Sequence, residues 1–313
     1  MGQDPKVLEA ITALKKHFVN AKGEPIRTPY YHHQLQVFYE DDFYDWIVSY
    51  ALKELIAEKY LVKIDSSNVS ELKSLRNVSR IKFYANAKAV QTQPEWENMK
   101  THVISIAKLV DEYSDVRHRA TLGKQLESLV KNELRAHQFD IISVNTKKYN
   151  GKEWTKTDHN LDIIAKKKNS DLVIGVEVKN TQDIIPPSEI DVKIDICEHL
   201  GIIPVFAVRW IKPYTDCIRR QGGFCWVFKT QIFPFGYEDF TKTLYQRLSE
   251  LNKENSRGHK LEFPITVRND LPEKSVNKFE DWLRKIENNP PTIDTSFRCG
   301  APEPEPEPDV YEF

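Results

Sequence analysis

Two neighbouring stretches decide the fold: Leu161-Asp162-Ile163-Ile164-Ala165 and, after the polar turn Lys166-Lys167-Lys168-Asn169-Ser170-Asp171, Leu172-Val173-Ile174-Gly175-Val176-Glu177-Val178-Lys179. The second is apolar from Leu172 to Val176, the pattern of a central strand covered on both faces. Side chains alternate across a strand, so Glu177 and Lys179 share one face while Val176 and Val178 take the other. The short turn makes the two strands antiparallel neighbours, which brings Asp162 opposite Glu177. Charged groups in so apolar a strand are costly unless partnered. Asp162, Glu177 and Lys179 are therefore expected to meet at one end of a buried sheet.

Working outward, an amphipathic helix over about Ser114 to His137 leads into the strand Phe139-Asp140-Ile141-Ile142-Ser143-Val144. After Lys179, Pro186-Pro187 stops the chain and Ser188 is placed to cap a helix from Glu189 to Leu200, with Ile190, Ile194 and Cys197 as its buried stripe. Gly201 ends that helix. Ile202 to Val208 reads as the next buried strand, with Pro204 suggesting that its first residues lie off the ladder. Phe224 to Phe228 reads as a further strand. The order is α-β-β-β-α-β, a mixed α/β sheet with helices on both faces.

Two carboxylates converging from adjacent strands can share a hard cation through oxygen ligands. Such an ion polarises a phosphate and acidifies a water, the requirements of phosphodiester hydrolysis. Lys179 would orient or deprotonate that water or stabilise charge on phosphorus. The Val178 carbonyl is placed as a further ligand. Asp162 followed by Glu177-Val178-Lys179 within this element order resembles the PD-(D/E)XK nuclease superfamily, which includes many restriction endonucleases and archaeal Holliday-junction resolvases. The resemblance covers about 120 of the 313 residues. Leu161 stands where the motif's name has proline. The resemblance implies a restriction-endonuclease-like αβββαβ core and a magnesium cofactor, with manganese as a substitute. It also implies DNA, duplex or branched, as substrate, and a homodimer as one arrangement for cutting both strands. It makes Glu127, in Gly123-Lys124-Gln125-Leu126-Glu127, the candidate for a further acidic ligand from the preceding helix. The catalytic set is then Asp162, Glu177, Lys179 and Glu127, and the metal set Asp162, Glu177, Val178 and Glu127.

Other readings stay open. Glu177 and Lys179 could be a plain structural ion pair, and Asp158 competes with Asp162 for the metal. Asn180 and Lys193 are candidate DNA contacts, though a solvated helix face also explains Lys193. Trp154 and Tyr149 could touch bases or simply pack. His32-His33 lacks zinc-ligand spacing. A restriction-type endonuclease is the leading function. A structure-specific junction resolvase, an RNA-cutting relative and a non-catalytic DNA-binding protein with a degenerate nuclease fold compete with it.

Residues 1–100 form a different region, expected to be mostly helical. Val7, Leu8, Ile11, Leu14 and Phe18 recur at helical spacing. A second helix, about Phe43 to Lys59, carries Trp46, Ile47, Tyr50, Ala51, Leu55 and Ile56 on one side. Alternating segments Tyr60–Ile64 and Arg80–Tyr84 follow, joined by a polar stretch. Helices followed by a two-stranded ribbon resemble a winged helix, a family whose helix before the wing often enters the major groove. From Lys63 to Lys88 six basic residues face two acidic ones, and Arg76, Arg80 and Lys82 are the candidate phosphate contacts. The helix itself is acidic, through Asp41, Asp42, Asp45, Glu54 and Glu58.

The core is assigned to 101–235, a helical extension packing on it to 236–300 with helices near Glu238–Leu251 and Glu273–Ile286, and a low-complexity acidic tail to 301–313. That tail holds five acids and no base, leaving 45 basic against 41 acidic residues in the remainder. Charge alone thus neither requires nor excludes a polyanion. The four cysteines lack CxxC spacing and are expected to be reduced thiols in a cytoplasmic protein. There is no signal-peptide pattern, and no apolar run approaches the roughly 20 residues of a membrane span.

Overall fold

The computed structural model describes residues 5–299 apart from 41, 44, 76–80, 182–184, 210–213, 255–263 and 297. The acidic tail and the candidate contacts Arg76 and Arg80 lie outside the described residues. In chain order the first elements are α1 (Pro5–His17), β1 (Tyr30–Tyr31), α2 (His32–Tyr39), α3 (Asp45–Ala57), β2 (Leu61–Asp65), β3 (Lys82–Asn86) and α4 (Gln93–Tyr113). Then come α5 (Val116–Ala136), β4 (Phe139–Thr146), β5 (Lys148–Tyr149), β6 (Lys152–Glu153), β7 (Leu161–Lys167), β8 (Val173–Lys179), α6 (Pro187–Leu200) and β9 (Ile203–Val208). The last are α7 (Thr215–Arg220), β10 (Phe224–Val227), β11 (Gln231–Phe233), α8 (Glu238–Glu254), β12 (Ile265–Val267) and α9 (Glu273–Asn288). Among the described residues no helix is long and apolar enough to cross a membrane.

The chain divides into two compact units. The first comprises Met1–Gln125, Thr181–Asp183 and Thr230–Asn269; the second comprises Leu126–Asn180, Ile184–Lys229 and Asp270–Phe313. This division crosses the boundaries read from sequence. Residues 230–269 belong with the N-terminal unit because Phe233, Leu244, Leu248 and Ile265 share one core with Phe83, Val103, Ile106 and Leu122.

In the first unit α1 buries Val7, Ala10, Ile11 and Leu14 in one cluster with Ile47, Ala51, Leu52 and Leu55 of α3. Leu8 and Tyr50 stand exposed, off the faces expected to be buried, because neighbouring Val7 and Val48 take the inward positions. The ribbon of β2 and β3 is antiparallel, and β1 adds to it in the order β1-β3-β2. Helix α4 begins with a capping box in which the Glu95 N–H donates to the Thr92 side chain and Glu95 reaches back to the Thr92 N–H.

The second unit is built on a five-stranded sheet in the order β10-β9-β8-β7-β4. The β4–β7 and β7–β8 pairs are antiparallel, the β8–β9 and β9–β10 pairs parallel. The mixed sheet expected from the pattern is observed, with β8 at its centre. Gly175 of β8 is required by packing: a Cβ there would lie 2.7 Å from Leu161 Cδ1, 2.9 Å from Cys197 Sγ and 2.9 Å from Ile202 Cδ1. Helix α6 closes on Gly201, whose φ of 72° is the left-handed turn that glycine adopts without cost. Its start departs from expectation. Pro187 is already helical and Pro186 occupies the capping position, so Ser188 lies inside the first turn. Pro204 is in register opposite Gly175, not off the ladder. A proline is tolerated at a strand's beginning, and β10 pairs only from Val205 onward.

Two cysteines also depart from expectation. Cys217 and Cys299 form a disulfide across 82 residues of chain, a separation at which spacing carries no information about proximity. Cys197 and Cys225 are free. The segment ending at Cys299 is also held along α6 by polar contacts. Thr295 donates to Glu198 at 3.0 Å, Arg298 meets Asp195 at 2.7 Å, and the Cys299 N–H donates to Asp191 at 2.8 Å.

Candidate active site

The site forms where β7 and β8 cease to pair. Their ladder ends at Ile163 opposite Val176. Beyond that point the Val178 N–H donates to the Asp162 carboxylate at 2.7 Å, so a side chain occupies the place of a strand carbonyl. Asp162 and Glu177 are thereby close neighbours, and the charge of Asp162 raises the proton affinity of Glu177. Burial pushes the Asp162 carboxyl above its ordinary range against the lowering effect of the Val178 N–H, and the charge of Glu127 adds to the rise. Burial and then the charge of Asp162 carry Glu177 from 4.5 to about 7.

Helix α6 supplies the countercharges in a regular way. Two residues along a strand advance about 6.6 Å and four along a helix about 6 Å, so matched stripes can stay in register for several steps. Lys179, Glu177 and Gly175 of β8 accordingly face Glu189, Lys193 and Cys197 of α6. Lys179 Nζ lies 3.0 Å from Glu189 Oε1 and 3.8 Å from Glu177 Oε1. Lys193 Nζ lies 2.6 Å from Glu177 Oε2 and also donates to the Asn160 carbonyl. Cys197 closes over Gly175. Burial disfavours charge on Lys179, but Glu189, Glu177 and Asp162 outweigh it and hold the ammonium above its usual pKa.

The structure therefore brings Asp162, Glu177 and Lys179 together and sets Glu127 within electrostatic reach of Asp162. Glu127 itself pairs with Lys131 at 3.2 Å along α5. Among the described residues, Asp162, Glu177 and Glu127 do not form a trio whose ligand atoms all lie within 4.8 Å of one another; Asp191, Cys217 and Cys299 do. Asp158 is fully exposed, 3.7 Å from Lys147, and stands outside the cluster. Asn180 and Lys193 are buried: Lys193 is the countercharge of Glu177, and neither presents a surface to a nucleic acid. Lys82 is half-buried on β3. Trp154 is buried, its indole N–H donating to Thr157 at 2.9 Å, so it packs. Glu189 was read from sequence only as the start of a helix and given no role in the site, although its four-residue spacing from Lys193 was visible.

The donor set at Asp162 and Glu177 is two carboxylates in a site that strains to hold its negative charge. That chemistry suits a hard divalent cation with oxygen ligands better than a soft metal. No family model, curated protein or solved structure matches this chain.

Proposed function

We propose that the protein is a metal-dependent endonuclease that hydrolyses DNA phosphodiester bonds, with magnesium, or manganese in its place, held by Asp162 and Glu177. The observation that carries this reading is the convergence of those two carboxylates at the point where β7 and β8 part. When bound, the ion would polarise the scissile phosphate and acidify a water. Asp162 is anchored through one oxygen by the Val178 N–H and acts on Glu177 through its charge. Lys193 holds Glu177 through one carboxylate oxygen at 2.6 Å. Lys179, kept protonated by Glu189, acts as a charge stabiliser for the phosphate oxygens and not as the base. The Val178 carbonyl and Glu127 would complete the coordination.

The order α5-β4-β7-β8-α6-β9 supports a restriction-endonuclease-like core. The order α1-β1-α2-α3-β2-β3, with the sheet β1-β3-β2, supports a winged helix in the first unit, which would help select the cleavage site through residues such as Lys82. The test is incubation of supercoiled, linear and four-way-junction DNA with magnesium, with and without chelator. Cleavage that chelator stops is expected. Absence of cutting on all three substrates with any divalent ion would overturn the enzyme reading. Cutting at a fixed short sequence would indicate a restriction-type enzyme, and cutting by junction shape a resolvase. One observation favours a second reading, a non-catalytic DNA-binding protein: Lys193 already neutralises Glu177 at 2.6 Å. Unchanged DNA affinity on adding divalent ions, together with no cleavage, would select it.

A further inference from the structure

The Cys217–Cys299 bridge lies beside Asp191, and the ligand atoms of these three residues fall within 4.8 Å of one another. Zinc and similar metals favour this mixture of thiolate sulfur and carboxylate oxygen, most often in tetrahedral sites completed by water when the protein supplies three ligands. We propose that, in the reduced chain, Asp191, Cys217 and Cys299 form a binding site for zinc or a comparable thiophilic divalent ion. This site is separate from the Asp162–Glu177 pair and does not depend on the nuclease reading.

Three features argue that the ligands stay together without the covalent bond. The Cys299 N–H donates to Asp191 Oδ1 at 2.8 Å, which fixes the cysteine backbone relative to that carboxylate. Arg298 and Thr295 hold the same segment to Asp195 and Glu198 of α6 at 2.7 and 3.0 Å. Cys217 is carried by α7, and the Gln221 side-chain amide from the end of that helix donates to both sulfurs, at 3.0 Å to Cys217 and 3.3 Å to Cys299. An N–H donor shared by two sulfurs favours their thiolate forms. All three ligands are part-exposed, so an ion and a reductant can reach them. A phosphine reductant supplies two electrons and takes the oxygen of one water to become its oxide, while the S–S bond breaks and the two protons of that water complete the two thiols. Metal binding then releases the two thiol protons to solvent.

The experiment uses the full chain, reduced with a phosphine, freed of reductant under inert gas and titrated with cobalt(II), then with zinc in competition. One cobalt per chain with a near-ultraviolet thiolate-to-metal band is expected, displaced by zinc and absent from the oxidised chain and from the Cys217→Ser/Cys299→Ser variant. Cobalt at the Asp162–Glu177 carboxylates gives no such band. Asp191→Asn is expected to keep the fold and lower the affinity at least about tenfold. No band in the reduced chain, a band that survives the double serine change, or loss of the fold on reduction by circular dichroism would each overturn the proposal. An Asp191→Asn variant with unaltered affinity would overturn the three-ligand assignment.

Discussion

At the scale of single residues, burial and the neighbouring Asp162 hold the Glu177 carboxyl towards its neutral form. With its pKa raised from 4.5 to about 7, the folded chain binds more protons than the unfolded chain between those values. Stability from this group is full below about 4.5 and is lost as pH rises towards about 7. Melts in chelator are expected to show a falling Tm across that window, with a shallower fall in Asp162→Asn, which lacks the neighbouring charge; equal slopes would remove Asp162 as a cause. Calcium added near pH 6 should release protons as the ion replaces those held by the carboxylates, and almost none near pH 8.5, as read by calorimetry in buffers of different ionisation heat. Gly175→Ala should cost about 1–3 kcal/mol in urea unfolding, because its Cβ has no room. Asp162, Glu177 and Lys179 were legible because two-residue alternation and a short turn are local facts. Lys193 was not. A helix offers several stripes, and which one meets the strand depends on docking, a long-range outcome that the period alone leaves open.

At the scale of elements, the matched charges of α6 and β8 differ in what they contribute. Lys193 and Glu177 are both buried, so Lys193→Met removes the nearest countercharge of Glu177, leaves it only Lys179 at 3.8 Å, and should cost up to about 3–5 kcal/mol in denaturant unfolding. Adding Glu177→Gln to that variant is expected to recover most of the loss, whereas additive losses would mean the two do not interact. The Lys179–Glu189 pair reaches solvent, and screening should hold the cost of Glu189→Gln below about 1 kcal/mol. The effect of Glu189→Gln on cleavage should be larger than its effect on stability if Lys179 must stay charged and in place. Elements with strong internal periodicity, such as α1, α8, α9 and the β7–β8 hairpin, were readable from sequence. The two-residue β1 was not, since so short a strand exists only through its pairing with β3.

At the scale of the molecule, residues 1–100 are not separable. Val103, Ile106, Leu109, Val110 and Leu122 share a core with Tyr31, Ile64, Leu72 and Phe83, so a chain beginning at 101 should expose that apolar surface and aggregate in light scattering. A soluble, well-folded product would refute this. If the protein is the nuclease proposed above, Lys82→Ala in the full chain is expected to change where DNA is cut more than whether it is cut, as read by sequencing fragment ends. The disulfide was invisible to sequence for the same reason as the true extent of the first unit: both join residues far apart in the chain. It has a topological effect too. The chain leaves the second unit after Lys229, returns at Asp270, and Cys217 is bonded to Cys299 around that excursion. Residues 230–269 therefore lie within a covalent ring. One protease nick inside the ring should leave a denatured chain migrating as a single species until a thiol is added, and only then as two fragments.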